Sequence, residues 1–359
     1  MSNPTVTRRD IAQKAGVSVS VVSRALNNSG YVDKEKKKRI IRIAEELGYH
    51  PNPVAVSLMK QRTKQLLFYC REIRNAFNIE LYEGMMNAAR KRNYLVVIHG
   101  SLDFKSIRST MVDGIIFPSE SAAGLYQETA GKNYHIPAVT ASYGNAAIYP
   151  RRIPLIECDC WEGMELIFHY LRQRGHERIA LAMPYGPETT EVRAMAWRES
   201  MRYELDEQEL KDFYLGISKS GLPGDPRVLR FREEVESDVL YIPEDFFGKG
   251  MLAAEVFAER KLDATALICF NDEMALGFCK RYQQMGYRIP QDLSVIGYDG
   301  TFMRRHASPY LTALGMFPGK QGARCVDVLL DIIDGKKPRQ KYRIRPRILE
   351  GESVKNLRR

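Results

Sequence analysis

Gly16-Val17-Ser18-Val19-Ser20-Val21-Val22-Ser23-Arg24-Ala25-Leu26-Asn27 decides how the N-terminal end of this chain is read. Upstream, Thr7-Arg8-Arg9-Asp10 has the form of a capping box, a hydroxyl with an acid three residues on. It opens a short helix with Ile11, Ala12 and Ala15 at helical spacing, and Gly16 ends it. Ser18 can cap a second helix that buries Val21, Val22 and Ala25 and exposes Val19, Ser20, Ser23 and Arg24. Asn27-Asn28-Ser29-Gly30 is a turn cluster. Asp33 caps a third helix to Leu47, with Ile40, Ile41, Ala44 and Leu47 expected on its inner face, and Gly48 closes it. Helix, four-residue turn, helix is the geometry in which the second helix enters a DNA major groove. Small residues at 19 and 20 permit close approach, and Arg24 is long enough to meet a guanine edge with two hydrogen bonds. The lysine run 36–38 reads more simply as a solvated face.

The residues Asp10-Ile11-Ala12, Ala15-Gly16-Val17-Ser18, Val22-Ser23-Arg24, Leu26-Asn27, Tyr31-Val32 and Leu47-Gly48-Tyr49-His50-Pro51-Asn52 carry a resemblance. Residues 5–60 resemble the headpiece of the lactose/purine-repressor (LacI/GalR) family of bacterial transcription regulators. The resemblance implies that Val19, Ser20 and Arg24 read bases, and that Thr7, Ser18, Ser23, Asn27 and Tyr31 contact or position the DNA backbone.

Pro51 and Pro53 stop the third helix from continuing. Val54 to Met59 is one and a half turns at most, far below the roughly 12–15 residues an isolated helix needs in water. The resemblance implies that this hinge folds on operator DNA against its copy in a second subunit. Leu58 would then wedge between base pairs in the minor groove. Val56 departs from the family, many of whose members carry Arg there, and a phosphate contact is lost with it.

Composition sets the outer limits. At 359 residues the chain suits two or three domains, and 44% hydrophobic residues is ordinary for a globular protein. The net charge of +10 is unevenly placed: +8 in residues 1–64, +8 in 336–359 and −6 between. A basic end can attract phosphate backbones. The tail reads more simply, with Tyr342 to Leu349 as a final strand whose Lys and Arg face solvent. No run of about 18 apolar residues is present, so no membrane span is expected. Met1-Ser2-Asn3-Pro4 lacks a signal-peptide pattern, which points to a cytoplasmic protein, and the resemblance implies a bacterial one associated with the nucleoid. Six scattered cysteines, with only Cys158-Asp159-Cys160 close together, read as reduced structural thiols; no metal or cofactor is expected.

From Gln65 short apolar runs alternate with helical stretches. Strands read at 66–69, 94–98, 114–117, 138–140, 179–183, 266–269 and 294–297, with helices at 161–174, 191–204, 248–260, 272–286 and 319–334. This is the pattern of parallel, doubly wound α/β sheets, and two side by side place a cleft at their strands' carboxyl ends. Val112-Asp113-Gly114-Ile115-Ile116, Arg174-Gly175-His176-Glu177-Arg178, Asn271-Asp272-Glu273-Met274 and Asp292-Leu293-Ser294-Val295-Ile296-Gly297-Tyr298-Asp299 also resemble the same family. The implied fold class is a three-helix helix-turn-helix headpiece and hinge helix, then a two-lobed parallel-sheet α/β effector domain of periplasmic-binding-protein type. The expected domains are a headpiece at 1–50, a hinge at 51–64, a core at 65–350 and a basic tail at 351–359. Within the core, one lobe is expected at about 65–157 and 317–341 and the other at about 158–316 and 342–350.

The resemblance assigns Arg193 and Asp299 to an effector, with hydrogen bonds to hydroxyls, a carboxylate or a ring N–H. Asn271 suits hydroxyls, although Asn-Asp can equally just cap a helix. An aromatic from Phe246-Phe247 can stack on a ligand face. Asn78 stands where relatives often carry an aromatic, and Ser142 where many sugar-binding members have Asp. The function expected is a homodimeric repressor on pseudo-palindromic double-stranded operator DNA, controlled by a small sugar or sugar derivative. A purine- or phosphoprotein-corepressed regulator is the alternative. No leucine heptads favour a tetramer. A free-standing sugar-binding protein would need a signal peptide and no headpiece, and no Gly-x-Ser-x-Gly elbow, phosphate loop or zinc spacing supports an enzyme.

Overall fold

The computed structural model describes residues 6–50, 62–70, 73–100, 110–130, 136–142, 144, 150, 152–227 and 246–358. Contacts divide it into two units, Met1–Thr63 and Lys64–Arg359. The hinge expectations at 51–61, including Leu58 and Val56, lie outside the described residues. No helix among the described residues is long and apolar enough to cross a membrane.

The described residues of the first unit form three helices, α1 (Arg8–Ala15), α2 (Val19–Asn27) and α3 (Lys34–Glu46). Their ends are set by local chemistry. The Thr7 N–H and hydroxyl both donate to Asp10 Oδ2 at 2.7 Å. Gly16 ends α1 at φ +65°, a conformation glycine enters without steric cost. Ser18 Oγ accepts from the Val21 N–H at 3.4 Å, and Asp33 Oδ1 from the Lys36 N–H at 3.0 Å. Ile11, Val22, Ala25, Ile40, Ile43 and Ala44 form the core. One expectation is corrected: Ile41 is 37% exposed and Ile43 is buried. Residues 40, 43, 44 and 47 share one stripe of a 3.6-residue helix, and 41 lies about 100° off it.

The second unit holds two six-stranded sheets. The first lobe's sheet runs β11 (Lys341–Arg343), β5 (Leu155–Glu157), β4 (Ala138–Ser142), β3 (Gly114–Phe117), β1 (Gln65–Tyr69), β2 (Leu95–His99), parallel throughout. The second lobe's sheet runs β12 (Arg347–Leu349), β10 (Thr312–Gly315), β9 (Ser294–Asp299), β8 (Ala266–Cys269), β6 (Ile179–Met183), β7 (Tyr214–Gly216). It is parallel except that β12 runs against β10. Strands such as Leu66-Leu67-Phe68-Tyr69 are buried on both faces, which is why they read as unbroken apolar runs.

Helices α4 (Ala76–Lys91) and α11 (Pro318–Ile333) pack closely in the first lobe. A Cβ at Gly84 would lie 1.9 Å from the Gly319 carbonyl oxygen, so only glycine permits this approach. The second lobe has α6 (Cys160–Gln173), α7 (Val192–Met201), α8 (Glu207–Phe213), α9 (Phe246–Arg260) and α10 (Asp272–Gln284). A short helix, α5 (Glu120–Ala130), follows β3.

The chain crosses between the lobes at 158–159, 316–317 and 344–346. The expected final strand over Tyr342–Leu349 is therefore two strands in different sheets, and the last crossing falls after Arg343 rather than at 341/342. Buried Pro346 lies between them, without an N–H to continue a ladder. Glu157 anchors this crossing: Lys341 Nζ lies 2.7 Å and Arg343 Nε 3.6 Å from its carboxylate. The tail is docked on the second lobe. Ser353 is fully buried, with Oγ donating to the Val295 carbonyl at 2.6 Å. His176, also buried, meets the Lys355 carbonyl at 3.0 Å. All six cysteines are buried.

Candidate DNA-reading face and ligand cleft

On the head, Ser18, Val19, Ser20, Arg24, Asn27 and Tyr31 are exposed and Ser23 is half-buried. Val19 is 42% and Tyr31 87% exposed, unusual for apolar side chains in so small a unit. Local hydrogen bonds preset the polar ones. Ser23 Oγ accepts from Arg8 Nη1 at 3.2 Å and Asn27 Nδ2 at 3.3 Å, tying α1 to α2. Ser18 and Ser20 share a hydroxyl contact at 2.8 Å. Arg24 Nε donates to the Ser20 carbonyl at 3.4 Å, and its stem passes over Gly30, leaving the guanidinium exposed at the N-terminal half of α2. Thr7 is exposed, its hydroxyl engaged with Asp10.

In the second unit a cavity of about 550 Å³ opens between the lobes. Asn78, Arg193, Phe246, Asn271 and Asp299 all line it. Its walls come from residues just past the carboxyl ends of β1, β3, β6, β8 and β9, where open parallel sheets present ligand-binding loops.

Arg193 is the centre of the second lobe's wall. Glu191 caps α7, accepting the Arg193 N–H at 2.8 Å with Oε2, while its Oε1 accepts from Arg193 Nε at 2.8 Å. Arg193 Nη1 donates to the Phe270 carbonyl at 2.7 Å, and the guanidinium lies 3.7 Å above the Phe270 ring. Phe270 is held between Phe246 and Tyr185, with ring centroids 5.3 and 5.6 Å away. The guanidinium is thus fixed from three sides before any ligand arrives.

Asp299 ends β9 at φ +94°, a strained conformation that turns its side chain to the cavity. Burial pushes its carboxyl up to about 7; Arg193 opposes this, while Glu80 and Glu191 add to it. Behind it Asp272 is buried, accepting from the Thr301 N–H at 2.6 Å and hydroxyl at 2.8 Å. Burial, then Asp299, holds the Asp272 carboxyl well above the ordinary range. Asn271 Oδ1 caps α10, accepting the Met274 N–H at 2.8 Å, and the residue also lines the cavity.

Ser142 does not line the cavity. It is buried, and its hydroxyl donates to Glu120 Oε1 at 2.5 Å. Glu120, Glu191, Tyr185 and Phe270 are lining residues that sequence reading missed. Their signal was positional: each lies within a few residues of the carboxyl end of a strand or at the start of a helix.

An exposed reading helix in one unit and a two-lobed cleft in the other define a DNA-binding head carried by a ligand-binding body. The sequence pattern of bacterial regulatory proteins of the lacI family matches residues 7–52, and that of the periplasmic binding protein-like domain matches residues 168–354, more than half of the chain. The HTH-type transcriptional repressor PurR of Vibrio cholerae is 27% identical over 367 residues, covering 98% of both chains. The Lac repressor dimer bound to operator and the anti-inducer ONPF has the same fold, at TM-score 0.75 and 20% identity over 98% of this chain and 100% of that one. A LacI family regulator from Enterococcus faecium with bound ribose aligns at TM-score 0.61 and 21% identity, over 82% of this chain and 99% of that one. The chain belongs to the LacI family of bacterial regulatory proteins. It is a DNA-binding transcription regulator, not an enzyme.

Proposed function

We propose that the chain is a homodimeric repressor that binds a pseudo-palindromic operator through Val19, Ser20 and Arg24, and that a small sugar in the cleft sets its DNA affinity. The observation that carries the reading is the preset Arg193–Glu191–Phe270 arrangement, which lines one cavity together with Asp299. Carboxylates, an amide and a guanidinium match vicinal hydroxyls, and Phe246 and Tyr185 offer apolar faces to a sugar ring. A ligand acts only through its different affinity for two lobe arrangements, and the three crossings are where those arrangements differ. Dimerisation is supported by edge strand β2, which presents Leu95, Val97 and Ile98 to solvent.

A purine effector is the second reading, favoured by the PurR relatives that match over nearly the full length. The same acceptors would meet ring N–H groups. Fluorescence anisotropy on a pseudo-palindromic operator, with sugar and purine panels added, tests both. Salt-sensitive, sequence-specific binding altered by a sugar supports the first reading. Response to purines alone replaces it with the second, and absence of sequence-specific binding overturns both.

A further inference from the structure

Asn271 and Asp272 are neighbours at the start of α10, yet only Asn271 lines the cavity. Asp272 is turned the other way and is 1% exposed. Its Oδ2 accepts both the Thr301 N–H and the Thr301 hydroxyl, and Thr301 is itself buried. Its Oδ1 lies against Gly297, where an added Cβ would come within 2.6 Å of it. Asp272 therefore grips the chain on both sides of Asp299, at 297 and at 301. That stretch needs holding. Asp299 and Gly300 stand at φ +94° and +68°, two left-handed residues in succession, and an L residue stays there only where its surroundings impose it. The same turn is tied to both lobes. The Asp299 carbonyl accepts the Met316 N–H at 2.9 Å, where the chain crosses between them. Three residues on, the Phe302 N–H donates to Glu80 Oε1 of the first lobe at 2.6 Å. Buried Arg304 fixes the far end, its Nη2 donating to the Leu349 and Glu350 carbonyls at 2.7 Å each.

We propose that Asp272 and Thr301 are positioning residues for ligand recognition. They hold the 299–302 turn so that Asp299 lines the cavity while the Phe302 N–H reaches Glu80, and so tie recognition at Asp299 to the contact between the lobes. A ligand-facing side chain locked by hydrogen bonds from behind is ordered before the ligand arrives, and binding then has less to order. This rests on the reading of the cleft as the effector site. It deepens that reading by assigning a role to two residues that do not line the cavity.

Amide hydrogen exchange of the unliganded full chain, read peptide by peptide, and calorimetry with ribose, glucose, guanine and hypoxanthine as probes test it together. Three variants are compared with wild type: Asp272→Ala, Thr301→Val, which keeps the shape and the N–H, and Thr301→Ser, which keeps the hydroxyl. Asp272→Ala is expected to speed exchange at 300–303 by about tenfold and to weaken the probe that wild type binds by about tenfold, from the loss of hydrogen bonds to a carboxylate. Thr301→Val is expected to do both to a smaller extent, and Thr301→Ser to match wild type. Exchange at β8 and α7 should not change. If Asp272→Ala fails to fold, Thr301→Val against Thr301→Ser carries the same comparison. Faster exchange spread over the whole second lobe would make Asp272 a support of the fold and overturn the proposal. Unchanged exchange at 300–303, or unchanged affinity for a probe whose binding Arg193→Ala abolishes, overturns it and leaves the cleft as the effector site. Probe binding that survives Arg193→Ala overturns the cleft reading itself, and binding of none of the probes by wild type overturns both.

Discussion

Glu80 and Phe302 join the two lobes directly: Glu80 Oε1, on α4, accepts the Phe302 backbone N–H beyond β9 at 2.6 Å. The contact lies 222 residues apart in sequence and touches neither Arg193 nor Asp299. Glu80 does not line the cavity, so removing it should act chiefly on the lobe equilibrium, with some lowering of the Asp299 carboxyl that Glu80 helps to raise. Glu80→Ala is expected to enlarge the radius of gyration of the unliganded chain by small-angle scattering. Ligand affinity should fall by roughly fivefold, the effect of losing about 1 kcal/mol from a partly solvated charged hydrogen bond. Unchanged scattering and affinity together would remove this contact from the closing of the cleft.

Arg193 carries the second expectation. Arg193→Ala removes the cation among the cleft's described lining residues, leaves Glu191 without it and takes away the cover of the Phe270 ring. Ligand affinity is expected to fall at least a hundredfold, on the order of 3 kcal/mol, by analogy with truncating one partner of a buried pair. Operator affinity without ligand should stay within about twofold. Arg193→Lys should rescue little, since an ammonium cannot serve Glu191 and the Phe270 carbonyl at once from a planar fork. Calorimetry for ligand and anisotropy for operator check both; a Lys variant with full affinity would show that charge alone suffices.

The head was almost fully legible because its signals are local: caps at Thr7, Ser18 and Asp33, left-handed Gly16 and Gly48, and a 3.6-residue stripe. The one slip, Ile41 for Ile43, came from reading adjacent apolar residues as one face. Apolar runs such as those of β1, β3, β6 and β8 were legible, whereas β5 and β7 are only three residues long and β10, Thr312-Ala313-Leu314-Gly315, opens on a hydroxyl residue and closes on glycine. In the cleft, resemblance pointed to Arg193 and Asp299, which both line the cavity, and Asn271 caps a helix at the cavity wall. Glu120 was invisible, because nothing in Pro118-Ser119-Glu120 announces that β4 will bring Ser142 beside it. That pairing is tertiary, across 22 residues.

Asp299 makes the chain's stability depend on pH. Its carboxyl titrates at about 7 in the folded chain against 3.8 for the ordinary group, chiefly through burial. The folded state therefore binds more protons than the unfolded one between those values. Stability should fall as pH rises from about 4 to 7 and then level off. Asp299→Asn removes this cost, and Asn tolerates the +94° φ better than most residues. The variant should melt higher than wild type at pH 8, by an amount on the order of a few kcal/mol, with the difference vanishing toward pH 4. Asp272, raised in the same direction, keeps some slope in both proteins. Melting curves that run parallel from pH 5 to 8 would exclude Asp299 as the source.

Arg24 separates base reading from backbone attraction. It is exposed on α2 with its stem steadied over Gly30, whereas Lys36 on α3 is simply exposed. If Arg24 meets a base edge, Arg24→Ala should cost about 1–3 kcal/mol on the best operator and relax discrimination at one position in each half-site. Its salt dependence should barely change, because base-edge contacts release few counterions. Lys36→Ala should leave discrimination intact. Anisotropy titrations over single-base operator variants at several salt concentrations make the comparison. A uniform loss across all variants with a shallower salt slope would instead place Arg24 on a phosphate, and leave Val19 and Ser20 as the side chains that choose the sequence.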